Sequence, residues 1–184
     1  MNRLTAIFSC GLMLLAADQV RATVFTPAEF SELVAAARAI AHGQIVSVQA
    51  RASDDRARIE TLVTLQVATY LKGDLGQEVT FVVPGGTLGR YRSVIVGAPR
   101  FLEGEEVVLF LGARGPSVPY VLRLGQGVLR VVRDPGTGER MVTPAPPAAQ
   151  SQEWQPVVRG SAANGPMALT ELAARVRTLI EAGR

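Results

Sequence analysis

Thirteen residues at 59–71, "IETLVTLQVATYL", place Ile59, Thr61, Val63, Leu65, Val67, Thr69 and Leu71 at every second position. A helix cannot put such a series on one side, whereas a strand must, because successive side chains of a strand point to opposite faces. At about 3.3 Å per residue the segment reaches roughly 40 Å, longer than most sheets accommodate. The expectation is a strand that bends and serves two sides of a barrel, with Ile59, Val63, Leu65, Val67 and Leu71 facing the core.

The neighbouring segments have the same character. "QIVSVQARA" reads as a strand, and "SDDRAR" as a polar turn. Beyond "KGDLGQ" come "EVTFVVPGG", the glycine-rich "GGTLGR", "YRSVIVG", "EVVLFLG", a pair of short strands in "YVLRLGQGVLRVV", and a return strand after "RDPGTGER". Seven or eight short strands with little room for crossover helices predict a mainly β chain, most simply a small OB-like barrel, closed or partly open.

Two segments keep helical spacing instead. In "VFTPAEFSELVAAARAIAHG", Thr26 is placed to cap, Pro27 suits the first helical position, Glu29 completes a capping box and Phe25 pairs with Phe30 as a staple. Phe30, Leu33, Val34, Ala37 and Ile40 form the stripe, and Gly43 is the expected terminator of a helix over about 27–41. Near the end, Leu169, Leu172, Val176, Leu179 and Ile180 predict a helix over about 167–182, with Arg175, Arg177 and Arg184 complementing its dipole. Between the β region and this helix, residues 143–166 hold a dense group of prolines together with Ser, Gln and Asn and read as an extended segment, with Trp154 able to dock on the barrel.

Arg3 precedes an apolar run from Leu4 to Ala17, and Val20-Arg21-Ala22 follows as a cleavage pattern. This is the layout of a secretory signal over residues 1–22, and the run is short of the roughly 20 residues that span a bilayer. The organisation expected is therefore a signal at 1–22, a helix and barrel domain at 23–142, the extended segment at 143–166 and a terminal helix at 167–184. Export places the protein in the periplasm or outside the cell, with no transmembrane segment after cleavage. Cys10, the one cysteine, lies inside the signal, so the mature chain has no thiol for a disulfide, a nucleophile or a metal site. Loss of Arg3, Arg21 and Asp18 lowers the formal charge from +3 to +2, too little to select a partner.

Catalytic patterns are sparse. His42, the single histidine, is expected to cap the first helix or face solvent, and one imidazole does not make a zinc site. Asp54, Asp55 and Asp74 sit in polar turns without the spacing of a calcium loop. "GGTLGR" lacks the Gly-Lys-Ser/Thr end of a phosphate loop and joins two strands. Ser93, Ser117 and Ser151 lack a nucleophile elbow. Aromatic residues make up 5% of the chain, too few for the stacking platforms of single-stranded nucleic-acid binding. No cofactor or metal is called for.

Leu71-Lys72-Gly73, Val83-Pro84-Gly85-Gly86, Gly97-Ala98-Pro99-Arg100-Phe101 and Gly104-Glu105-Glu106, in this order across about 25–134, resemble a little-characterised family of exported bacterial small-barrel proteins with a preceding helix. The order is also similar to netrin and metalloproteinase-inhibitor modules. That likeness implies an OB-type barrel that binds other proteins, although the inhibitors act through an amino-terminal cysteine, and the mature chain expected here begins near Thr23 without one.

In "GAPRFLEGEE" Pro99 restricts its own φ and the conformation of Ala98, Phe101 is expected to turn inward, and Arg100 outward. The corner is either a structural turn or a binding loop. As a binding loop it combines Arg100 and Pro99 with Gly85, Gly86 and Arg90. The function expected is an exported, non-catalytic binding or envelope-associated module whose partner is an envelope or extracellular protein and not nucleic acid; the alternative is an extracellular hydrolase that cuts a polymer with a carboxylate pair.

Overall fold

The computed structural model describes residues 28–53, 57–113, 118–144 and 166–183. The signal assigned to residues 1–22, the caps assigned to Thr26 and Pro27, and Trp154 lie outside them.

The first helix, α1 (Phe30–Ala36), is much shorter than its apolar stripe predicts. Glu29 stands at its N-cap with no side-chain cap hydrogen bond, and not at the third helical position that the expected capping box requires. From Ala39 the chain is already extended as β1 (Ala39–Ala52). Ala37 and Ile40 satisfy the helical period, but Ala39, Ile40 and Ala41 are all fully buried, and a strand flanked on both edges can bury both of its faces where a surface helix cannot. Gly43 is accordingly a strand residue, not a helix stop. A Cβ there would lie 2.1 Å from the Gln66 carbonyl oxygen, so the close approach of β1 to its neighbour requires glycine.

That neighbour is β2 (Ile59–Lys72), antiparallel to β1 over almost its whole length. Val63 and Leu65 are fully buried, as the alternation predicts. The alternation does not persist to Leu71, however. Register shifts leave Val46, Ala68 and Leu71 without partners, and each bulge moves the following residues to the other face. Val67 and Tyr70 thus pack against one hydrophobic cluster, and Leu71 against the other. β1 pairs with β2 on one edge and with β6 (Glu106–Gly112) on the other.

The remaining strands are β3 (Glu78–Pro84), β4 (Gly86–Leu88), β5 (Tyr91–Ser93), β7 (Tyr120–Val121), β8 (Val128–Arg133), β9 (Arg140–Pro144) and β10 (Met167–Ala168), with α2 (Leu169–Ala182) last. Eight of them form a mixed sheet in the order β1-β2-β3-β7-β6-β8-β9-β10, and β4 and β5 form a separate hairpin.

Because β6 also pairs with β1, five strands lie in a ring, but the ring is not closed into a barrel. The small OB-like barrel expected from the sequence is therefore corrected to a mainly β fold with a large mixed sheet and a helix near each end. The cause lies in β7, which is two residues long and meets β3 through the single parallel pair Val82↔Tyr120. Arg123 and Leu124 then take left-handed conformations that turn the chain into a short 3-10 helix, Leu124–Gly127, so β7 cannot lengthen into a wall. Past β6 the sheet continues into β8, β9 and β10 instead of returning on itself.

The unbroken apolar run of β6 is explained by burial on both sides. Val107, Leu109 and Leu111 enter a cluster with Leu65, Phe81 and Phe101, while Val108 and Phe110 enter a second with Phe30, Leu33, Leu172 and Val176. The two helices cover this second cluster: Phe30 of α1 meets Phe110 edge-on at 5.9 Å, and Arg175 of α2 lies 5.1 Å from the Phe30 ring centroid. Among the described residues no helix is long and apolar enough to cross a membrane.

Candidate functional site

Two loops that the sequence keeps apart meet at one end of the sheet. The first begins where β3 ends. Gly85, at φ +89°, donates its N–H to the Ile59 carbonyl at 3.0 Å and accepts from the Thr61 hydroxyl at 2.7 Å, which pins it to β2. Gly86 follows at φ +144°, where a Cβ would stand 2.5 Å from Thr61 Oγ1. The hairpin then pairs Thr87 with Arg92 and Leu88 with Tyr91.

The second loop is the 97–105 corner. Ala98, Pro99 and Phe101 are buried and Arg100 is exposed. Phe101 packs edge-on against Phe81, with centroids 5.4 Å apart, so the corner is anchored in the core. Its backbone is held as well: Arg130 Nη2 donates to the Arg100 carbonyl at 2.7 Å, Arg130 Nη1 donates to Glu105, and Glu105 Oε2 accepts from the Leu102 N–H at 3.1 Å. Arg100 is therefore fixed through its backbone while its guanidinium is free to meet a partner.

Between the loops lies an open groove of about 640 Å³. Val48, Ala50 and Thr61 contribute from β1 and β2; Gly85, Gly86, Thr87, Arg92 and Ser93 from the hairpin side; Ala98 to Leu102 from the corner. No acidic side chain is among these residues. Arg92 and Arg100 make no side-chain hydrogen bond or ion pair among the described residues. Large apolar side chains stand exposed along the wall, with Val94 53%, Ile95 41% and Leu102 68% accessible. Clefts of this size with an apolar lining and a few convergent polar groups are the usual form of a binding site.

Of the residues singled out from the sequence, Gly85, Gly86, Pro99 and Arg100 line the groove. Arg90 does not: it lies at the hairpin tip, bonded to the Tyr91 hydroxyl at 2.9 Å and stacked 5.1 Å from its ring centroid. Sequence reasoning missed Arg92, whose place opposite Thr87 follows once "GTLGRYRS" is read as a two-residue hairpin.

His42 is not the exposed cap expected of it. It is buried in β1, with Nε2 2.8 Å from Glu106 Oε1 on β6, and Arg140 Nε approaches the same carboxylate oxygen at 3.3 Å. Here the imidazole ties two strands together, and it does not line the groove. Asp74 accepts the Gly76 N–H at 2.8 Å within its turn, whereas Asp54 and Asp55 lie outside the described residues. Burial holds the Tyr70 hydroxyl above its ordinary pKa, and that hydroxyl donates to the Gly76 carbonyl at 2.7 Å. Among the described residues no group of three or more His, Cys, Asp or Glu is arranged to hold a metal ion.

No family model matches the chain, and neither does any curated protein or solved structure compared with it. The resemblance to an exported bacterial barrel family, and to netrin-like or inhibitor modules, is thus overturned by the open ring and gains no support from related sequences. What the fold and the groove define is a mainly β protein that, among the described residues, carries an apolar, cationic cleft beside a β-hairpin.

Proposed function

We propose that the chain is a non-catalytic binding module and that the groove between the β4–β5 hairpin and the 97–105 corner is its contact surface. The observation that carries this reading is the pairing, among the described residues, of an apolar wall with two unpaired guanidiniums, Arg92 and Arg100, and no lining carboxylate. An apolar body supplies contact area, and a carboxylate or sulfonate supplies charge-assisted hydrogen bonds to arginine. A hydrolase working through a carboxylate pair is disfavoured by the same lining. Export to the periplasm or beyond is part of the proposal and rests on the charge and apolar layout of residues 1–22.

The test is an amide NMR titration with two probes of one shape, a naphthalene sulfonate and a naphthylmethylammonium. The sulfonate is expected to perturb amides at 85–87 and 92–102, and the ammonium to leave them unmoved. No perturbation by the sulfonate, or equal perturbation by both, overturns the reading.

A further inference from the structure

Among the described residues β5 pairs with β4 alone, and no described strand lies beside the backbone groups of its other edge. The chain continues as Val94-Ile95, exposed and outside any regular strand, before a turn in which the Ala98 N–H donates to the Ile95 carbonyl at 3.1 Å, and the Val94 N–H makes no backbone hydrogen bond among the described residues. A free edge of this kind, rich in β-branched residues and bordering an apolar cleft, is a template for one more strand.

From these features, and resting on the groove being a contact surface, we propose that the protein captures an extended, acidic peptide segment by strand addition to β5. A strand laid along β5 presents every second side chain on the face that carries Thr87 and Arg92, which is the face that lines the groove. Apolar side chains at those positions meet the cleft wall, and an acidic one meets Arg92 or Arg100. Charge selects this occupant over a second copy of the chain, because like arginines brought together across a shared edge repel. A charge on an edge strand is a common guard against self-pairing, and here it also favours an acidic partner.

The experiment titrates the protein with the heptapeptide Val-Thr-Glu-Thr-Val-Thr-Val, whose valines and glutamate share one face of a strand, with its glutamine counterpart, and with a form N-methylated on alternate backbone amides. The glutamate peptide is expected to bind and to shift and protect amides over 91–94. Glutamine replacement, N-methylation and Arg92→Ala are each expected to weaken it by about tenfold or more. If the N-methylated peptide binds equally well, strand pairing is wrong. If the naphthalene sulfonate binds and the glutamate peptide does not, the groove takes small anionic amphiphiles and only this inference falls; if neither binds, the proposed function falls with it. Sedimentation revealing a dimer that Val94→Lys dissolves makes a second copy the occupant and likewise overturns the inference.

Discussion

Phe101 stands edge-on to Phe81, with ring centroids 5.4 Å apart and planes 79° apart, and this contact separates the two roles of the corner. The aromatic ring belongs to the core and the neighbouring guanidinium to the surface. Phe101→Ala is expected to cost about 3–5 kcal/mol in denaturant melts, the range for emptying a buried aromatic site. Arg100→Ala keeps the carbonyl that Arg130 holds and is expected to change stability by less than about 0.5 kcal/mol. Comparable losses from both variants would remove the distinction.

The bulge at Ala68 makes a second prediction. Leu65, on the core side of the bulge, is fully buried, and Leu65→Ala is expected to cost about 2–5 kcal/mol. Thr69, on the alternation's nominal core face, is exposed, and Thr69→Ala is expected to stay within about 0.5 kcal/mol. A large loss at Thr69 would restore the unbroken register and contradict the bulge.

How legible these features were depends on whether the sequence signal was local. The strand alternation at Val63 and Leu65 and the inward Phe101 could be read from neighbours in the chain. The end of α1 could not, because Ala37 and Ile40 keep helical spacing although Ile40 already lies in β1, whose two edges are claimed by β2 and β6. His42 was misread for the same reason: its partner Glu106 is remote in sequence and arrives only through strand pairing. The barrel failed on β7, where two residues and two left-handed positions decide whether a sheet closes. Arg92 required the hairpin register, which a glycine-rich loop does not announce.

Removing the carboxylate from the half-buried His42–Glu106 pair tests the strand tie. Glu106→Ala leaves the imidazole without that partner and is expected to cost about 1–3 kcal/mol. Arg140, whose side chain is about half exposed, is expected to contribute less than about 1 kcal/mol when changed to Ala. Thermal melts of both variants check the order, and a costlier Arg140→Ala would reverse it.

Asp134 opens the β8–β9 turn and accepts the Thr137 N–H at 2.8 Å, the Gly136 N–H at 2.9 Å and the Thr137 hydroxyl at 3.1 Å. These bonds, led by that from the Thr137 N–H, hold its carboxyl below the ordinary aspartate range. A lowered folded pKa means that the stabilisation is present above the unfolded pKa and is lost as pH falls through the folded one. NMR titration of the Asp134 carboxyl is expected to give a midpoint below that of a free aspartate, and Asp134→Asn to remove this part of the acid sensitivity. An ordinary midpoint would contradict the turn geometry.

The central claim is that Arg92 and Arg100 receive an anionic group at an apolar groove. Affinity for the naphthalene sulfonate, measured by calorimetry in the native protein and in the double variant Arg92→Ala, Arg100→Ala, tests it most directly, with denaturant melts in parallel. The account predicts an affinity loss of about tenfold or more, each tenfold being about 1.4 kcal/mol, with the melt nearly unchanged. Retained affinity in a folded double variant would contradict it.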